Sequence, residues 1–424
     1  MNKNVKTERI ADGVDYCYIK SDRFKSARIS VSAYMPMRED TVAAYSLLSL
    51  LLSGGCADYP SPRDLSCRLD TLYGASMGAD STKLGDILVL RSGIIFVDDR
   101  FLPENVFGDC AELLCKMMFE PAVDEGGFLS ENFEREKRIQ LEDIDGIIND
   151  KRAFARNRCA EIMCEGEPYG LPTLGTKEAV TALTRSEVYA AWKTMIKSAH
   201  FRIAVTACDE HPEVAEMFVR KFAAAKREDI FEPKNSIYHK APPTVKTVTE
   251  RFPVAQGKLV MGFATDIAGD DSETYKMMVF SDVFGGGPYS LLFSNVREKM
   301  SLCYYCASSA VRKKGILMVD SGVEFANMEK TEKAVLGELQ KLKDGDFDGS
   351  IIDASKLALI GALHGVYDSQ AVLDRWYSDR LFDKRTLSPD EMADLIATVT
   401  KEDIVAAANG VRLDTVYCLR GEEN

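Results

Sequence analysis

GGGPYSLLFSNVREKMSLCYYCASS, residues Gly285 to Ser309, is the most telling stretch of the chain. Its three glycines and Pro288 mark a tight turn into a helix. A phosphate loop is not expected, because no Gly-Lys-Ser/Thr follows the glycines. Residues 289–300 then read as a helix and 302–309 as a strand. That order sets Arg297 and Tyr304 on two consecutive elements, joined by a short turn.

The elements flanking this run repeat an order met earlier in the chain. Before and after it, the pattern predicts a strand over 259–264, a helix over 272–284, a strand over 316–323, a helix over 328–343 and a long helix over 352–381. The first half predicts a strand over 29–35, helices over 41–53 and 62–72, and strands over 75–81 and 87–96. A helix over 103–119 and a long helix over 131–163 follow. Residues 85–93 (GDILVLRSG) echo 315–322 (GILMVDSG). Thr184-Arg-Ser-Glu187 is a capping box, and Thr400-Lys-Glu-Asp403 is its near twin. Strand-like runs follow both, at 201–207 and 415–419.

The join is expected at residues 234–245, where Pro242-Pro243 and polar flanks mark a linker. This gives an N-terminal half over 1–233 and a C-terminal half over 246–424. Both are α+β, and the mixed order of strands and helices argues against a doubly wound dinucleotide fold.

Composition narrows the function classes. The 424 residues are 46% hydrophobic and 28% charged, which excludes a mostly disordered chain. Fifty-three basic against 66 acidic residues leave a net charge of −13, which disfavours nonspecific nucleic-acid binding and binding to anionic membranes. Residues 1–10 lack the apolar core of a signal peptide, and no apolar run approaches the ~18 residues of a membrane span. A soluble, cytoplasmic protein with no membrane or nucleic-acid partner is expected. Eleven cysteines are an odd count, and reduced thiols are expected. Cys303 and Cys306 form a lone CxxC without a second pair, and read as two small apolar residues on one strand.

The run 285–309 resembles the C-terminal-half signature of the insulinase, pitrilysin and mitochondrial processing peptidase family: a glycine turn, a Leu/Phe-rich helix, VREK, then a strand. First-half stretches agree in order and spacing: Asp58-Tyr-Pro-Ser61, residues 65–72, and Gly166-Glu-Pro-Tyr-Gly-Leu-Pro172 with Gly175-Thr176. The resemblance covers nearly the whole chain. It implies two homologous halves, each a mainly antiparallel sheet covered by helices, in the LuxS/mitochondrial processing peptidase-like metallohydrolase fold. It further implies a peptide-binding cleft between halves, and pairing with a second such chain. In such a site Tyr304 would donate to the oxyanion formed at the scissile carbonyl, and Arg297 would orient it or hold the substrate backbone. Cys303 stands where the family usually has Gly. Substrate would add as a strand along Met77-Gly78-Ala79-Asp80, making Gly78 and Ala79 candidate substrate contacts. The family's usual Asn falls at Gly78, so a lost role is expected at this edge.

The zinc motif of active members, His-x-x-Glu-His on the first helix, is missing. Aligned on Tyr59-Pro60, its positions fall on Ser46, Ser49 and Leu50, none able to replace a zinc-bound imidazole. Glu142 takes the place of the downstream ligand, with Glu134 and Glu136 nearby. The four histidines, His200, His211, His239 and His364, have no metal-ligand spacing and are expected to pack or lie at the surface. Gly74-Ala-Ser-Met-Gly78 matches a nucleophile elbow in letters only, since its helix precedes its strand. No metal or other cofactor is therefore expected in this chain; zinc is expected only in a partner. The resemblance implies a non-zinc subunit, inactive alone, that supplies Arg297 and Tyr304 to a zinc-bearing homologous partner. The alternative is a non-catalytic scaffold or peptide-binding pseudopeptidase, possibly a homodimer, with extended peptide as its ligand.

Overall fold

The computed structural model describes residues 4–233, 239–269 and 272–422. Residues 234–238, the first part of the expected linker, lie outside the described residues. The first half builds β1 (Val5–Ala11), β2 (Val14–Lys20), β3 (Ser26–Pro36), α1 (Val42–Gly54), α2 (Pro62–Thr71), β4 (Ser76–Leu84) and β5 (Ile87–Val97). Next come α3 (Phe107–Phe119), a two-residue hairpin pair β6 (Val123–Asp124) and β7 (Gly127–Phe128), α4 (Ser130–Gly146) and α5 (Lys151–Met163). It ends with α6 (Lys177–Ala182), α7 (Arg185–Ser198), β8 (His200–Ala207) and α8 (Pro212–Ala224). The second half builds β9 (Lys246–Arg251), β10 (Gly257–Ala264), α9 (Thr274–Gly285), a π-helix Leu292–Lys299, β11 (Cys303–Val311) and β12 (Ile316–Val323). It closes with α10 (Met328–Asp344), α11 (Ser350–Gly365), α12 (Gln370–Ser378), α13 (Pro389–Ala397), α14 (Lys401–Asn409) and β13 (Arg412–Arg420).

The duplication is visible in the sheets. The first runs β4-β5-β3-β8-β2-β1 and the second β11-β12-β10-β13-β9. In each, one pair is parallel, β2 with β8 and β9 with β13, and the others are antiparallel. The chain is thus α+β with two homologous halves, each a mainly antiparallel sheet covered by helices. The hairpins β4–β5 and β11–β12 turn at Gly85 and Gly315, with φ of 60° and 67° that a side chain would resist.

Strand alternation assigns the faces. In β3, Ala27, Ile29, Val31, Ala33 and Met35 enter an apolar core with Leu47, Leu48 and Leu51 of α1 and Leu114 of α3. The opposite face of β3 carries Arg28, Ser30 and Tyr34, which bond to Asp374 and Ser378 of α12. In the second sheet, Val260 and Ala264 of β10 and Met318 of β12 pack on Ala155, Cys159 and Met163 of α5.

Both long helices expected from the sequence are broken. Residues 131–163 divide into α4, a 3₁₀ turn Ile147–Asn149 and α5. Residues 352–381 divide into α11, a turn Val366–Asp368 and α12. Each break follows a glycine, and a new N-cap restarts the helix: Asp150 accepts from the amides of Arg152 and Ala153, and Ser369 accepts from that of Val372.

The breaks mark an exchange. One compact unit takes the chain up to Asp145, Leu171–Pro233 and Asp368–Asp379; the other takes Gly146–Gly170, the chain from the linker to Tyr367, and Arg380 onward. The first half therefore lends α5 to the second sheet, and the second half lends α12 to the first. Each sheet is covered by helices on one face and by a single borrowed helix on the other.

Candidate active-site elements and family

The π-helix and β11 position Arg297 and Tyr304. The Met300 amide donates to Asn295 O at 2.9 Å, an i to i+5 bond that widens the helix, and Ser301 then turns the chain at φ 51°. In β11, Cys303 pairs with Val323 and Tyr305 with Gly322, so Tyr304 is the extra residue of a β-bulge. A bulge re-aims a side chain. Tyr304 is 58% exposed, and its hydroxyl donates to Glu324 Oε1 at 3.5 Å, a long contact. Arg297 Nε donates to Tyr304 O at 2.9 Å, Nη1 pairs with Glu298 Oε1 at 2.8 Å, and the guanidinium lies 4.5 Å from the Phe293 ring centre. The two residues are thus in contact, with the arginine on the tyrosine's backbone. Tyr305 points elsewhere, with Arg152 of α5 4.4 Å from its ring centre.

The same bulge changes the reading of Cys303 and Cys306. On a regular strand, residues three apart face opposite ways; the extra residue puts these two on one face, opposite Val323 and Ser321. A hydrogen bond from Cys306 holds the Cys303 thiol below its ordinary pKa against the effect of burial, with help from the Arg297 charge. The same bond, with burial, pushes Cys306 well above the usual range. Both thiols are free.

In the first unit, α1 does not suit a zinc ion. Ser46 and Ser49 are buried with their hydroxyls engaged: Ser49 Oγ donates to Ser46 O at 2.7 Å, and Ser81 Oγ to Ser46 Oγ at 3.3 Å. Leu50 packs against the apolar core. Helix α4 turns Asn132, Phe133, Glu136 and Gln140 inward. Glu142 therefore points to solvent, 69% exposed and 3.8 Å from Arg138, while Glu136 pairs with Arg135 at 2.9 Å. This donor set, two bonded hydroxyls, an aliphatic chain and a solvated carboxylate, offers no zinc site.

Gly78 and Ala79 lie on β4, the outermost strand of the first sheet. Ser76 opens that strand after α2, so the Gly74–Gly78 match has no elbow geometry.

A curated relative decides the family. "Probable inactive metalloprotease YmfF" of Bacillus subtilis (strain 168) is 30% identical over 407 residues, covering 96% of this chain and 95% of the relative. Residues 182–359 match the family profile described as "Peptidase M16 inactive domain". The chain belongs to the M16 peptidase family. A conserved protein from Enterococcus faecalis V583 superposes with a TM-score of 0.92 at 27% identity over the full length of both chains. A peptidase M16 inactive domain from Pseudomonas fluorescens superposes with a TM-score of 0.80 at 15% identity over 99% of each chain, which speaks to fold alone. This chain is an M16 peptidase-like protein whose sequence lacks the His-x-x-Glu-His motif.

The remaining histidines of this M16 chain are accounted for. His200 bonds Asp15 at 2.7 Å, His211 stacks on Phe107 at 3.4 Å, and His364 is exposed on α11. Among the described residues, one His/Cys/acid group is close enough to suggest a metal: Cys164, Glu167 and His239. Its geometry is that of an ion network. Nδ1 of His239 stands 2.6 Å from Glu167 Oε1, a hydrogen-bond distance, whereas two zinc ligands on ~2.0 Å bonds would stand roughly 3.3 Å apart. Buried Lys314 takes the other Glu167 oxygen at 2.5 Å, and Asp414 takes His239 Nε2 at 2.9 Å. Burial opposes charge on His239, but its bonds to Asp414, Cys164 and Glu167 prevail and raise its pKa to about 10. The network pins His239, within the expected linker, to Glu167 and to Asp414 of β13.

Sequence reasoning missed the polar layer under α12: Arg28, Arg91, Arg202 and Asp374. Arg202 is fully buried, with Nη1 2.6 Å from Asp374 Oδ1. The signal was present, since Arg28, Ser30 and Ser32 alternate with the apolar residues of β3. Among the described residues no helix is long and apolar enough to cross a membrane.

Proposed function

We propose that this chain is the non-zinc, cytoplasmic subunit of an M16 peptidase, inactive alone, whose Arg297 and Tyr304 complete a peptide-cleaving site on a zinc-bearing homologous partner. In this reading the halves are residues 1–233 and 246–424, joined at 234–245. The observation that supports it is Tyr304 itself. A large side chain is displaced by a bulge into solvent and its carbonyl is fixed by Arg297, an arrangement with no benefit to the apolar core. A hydroxyl held so can donate to a developing oxyanion, and one such donor typically changes turnover ~10²–10³-fold. Arg297 acts mainly as a positioning residue, because three neighbours already engage it. Zinc and its activated water belong to the partner, since α1 supplies no ligand.

The test is purification of the chain from its source with identification of co-purifying proteins, followed by peptide hydrolysis by each component and by the mixture. Hydrolysis that needs both this chain and a His-x-x-Glu-His homologue supports the proposal. Full activity of that homologue without this chain overturns it. A homodimer without peptidase activity that retains extended peptides is the second reading, a pseudopeptidase scaffold. What favours it is the unpaired outer edge of β4, a place for an added strand that needs no metal.

A further inference from the structure

The first unit holds an arginine-lined pocket of about 390 Å³ beside β4, apart from Arg297 and Tyr304. Its floor is the cross-strand pair Gly78 and Gly93. A Cβ on Gly78 would meet nothing within 4 Å, while one on Gly93 would lie 2.7 Å from Arg28 Nη2. Glycine at 93 therefore lets the Arg28 guanidinium lie flat on the sheet. Arg91 and Asp80 flank this floor from the strands, and Arg375 closes it from α12.

The charges do not cancel. Asp374 already accepts from Arg202 at 2.6 Å and from Ser30 at 2.6 Å, and Arg28 Nε reaches it only at 3.4 Å. Nη1 and Nη2 of Arg28 have no hydrogen-bond partner among the described residues. Arg91 donates through Nη2 to Asp379, and its Nε is buried without a partner. Arg375 has Asp80 at 3.9 Å, with both side chains at least half exposed. Four arginines thus share three carboxylates, and Arg28, Arg91 and Arg375 line one small volume.

We propose that this pocket binds a carboxylate presented by an extended peptide lying along the β4 edge. The peptide part rests on the peptide-binding reading of β4 given above. A guanidinium fork matches a planar monoanion in a bidentate fashion. Asp80 at the rim and buried Asp374 beneath would repel a phosphate dianion more than a monoanion, so the charge pattern favours the carboxylate. Its source is either a peptide C-terminus or an Asp or Glu side chain. The edge position favours a peptide, since β4 pairs only with β5 and its outer main-chain groups are open to an added strand.

The experiment titrates the full chain with three peptides of one sequence: a free acid, its C-terminal amide, and the amide with an internal Glu replaced by Gln. N-acetylglutamate serves as a probe independent of any peptide, with arginine Nε–H resonances and calorimetry as readouts. The expected result is that one carboxylate, terminal or side-chain, tightens binding by about tenfold or more, a charge-assisted bond's worth. Arg28→Gln and Gly78→Val should each abolish that difference. The Cβ of a residue at 78 meets no atom within 4 Å and Val suits a strand, so the variant's melting temperature should stay near the wild-type value while the floor is filled. Equal binding of acid, amide and Gln peptides, with N-acetylglutamate leaving the Arg28 and Arg91 resonances unmoved, overturns the proposal. Binding of N-acetylglutamate, lost in both variants, with no binding of any peptide supports the carboxylate site and overturns the peptide reading beneath it.

Discussion

Strands β4 and β11 hold the same place in two sheets of one topology, yet they have been put to different uses. β4 is regular, with glycine where a side chain could rise and arginines gathered beside it. β11 is bulged, with a tyrosine pushed into solvent and its carbonyl held by an arginine from the preceding π-helix. The helices nearby diverge in the same way. α1 is ten-thirteenths buried and packs as core, while the helix just before β11, the counterpart of α2 in the repeat, has widened into a π-helix that carries Arg297. A duplicated fold separates what it must keep, the strand order and the hairpin glycines, from what each copy can change. Arg297 and Tyr304 sit at irregular places, a π-turn and a bulge, while the regular helix α1 has become packing.

The largest effect should come from the sharpest difference. In a reconstituted complex with a zinc-bearing partner, Tyr304→Phe is expected to lower turnover ~10–10³-fold, since one oxyanion donor is lost. Ser49→Ala on α1 should leave turnover unchanged. The measurement is peptide hydrolysis at matched assembly. If both variants matched wild type, β11 would be as inert as α1, and the scaffold reading would stand.

The units should next differ in the direction of their pH sensitivity. In the first, burial would raise the Asp374 pKa, but the charges of Arg202 and Arg28 outweigh it and hold the carboxyl below its ordinary value. That contribution is present above the unfolded carboxylate pKa and is lost as pH falls through the lower folded value. In the second, His239 is raised from 6.5 to about 10. Its contribution is complete below pH 6.5 and is lost as pH rises toward about 10. Asp374→Ala and His239→Ala each leave buried partners uncompensated, so each should cost about 3–5 kcal/mol. The first should erase acid sensitivity and the second alkaline sensitivity in chemical unfolding across pH. The same pH profile for both variants would show that the two networks are not separate.

Much of this comparison was legible in the sequence. The apolar runs, the hairpin glycines at 85 and 315 and the twin caps come from local chemistry, so the duplication could be read. The lack of His-x-x-Glu-His was legible because a missing imidazole needs no geometry. The exchange of α5 and α12 was not, because the letters of both long helices run through a break made by one cap and a glycine. The bulge at Tyr304 was equally hidden: one extra residue in a ladder leaves no compositional mark. Glu142 was placed by count, but helical phase turns Glu136 and Gln140 inward instead. β1 and β9 were missed because they are mostly exposed, charged edge strands, and buried β2 was missed as well.

The bulge has a smaller consequence in the thiols. Cys303 is held more acidic by Cys306 and Arg297, while Cys306 is pushed up. Iodoacetamide at pH 7.5 should therefore modify Cys303 first, by about tenfold or more, because the thiolate is the reactive form. Arg297→Gln should narrow the gap without reversing it. Peptide mapping after brief labelling reads both. Equal labelling would mean that the two side chains lie on opposite faces, as on an unbulged strand.

The smallest effects should come where the halves are still alike. Thr184 accepts from the Glu187 amide at 3.3 Å and donates its own amide to Glu187 Oε2 at 2.8 Å. Thr400 accepts from the Asp403 amide at 3.3 Å and donates its amide to Asp403 Oδ2 at 2.9 Å. Both caps are exposed, so each hydroxyl replaces one bond to water and little else. Thr184→Ala and Thr400→Ala should cost nearly the same, about 1 kcal/mol each in denaturant unfolding. The acids should part company: Asp403 also holds Lys276 of α9 at 2.9 Å, a tie that Glu187 does not make to another helix. Asp403→Asn should thus cost more than Glu187→Gln by a few tenths of a kcal/mol, the usual worth of a partly exposed pair. Equal acid effects with unequal threonine effects would reverse that assignment. The likeness would then lie in the carboxylates, and the divergence in the caps themselves.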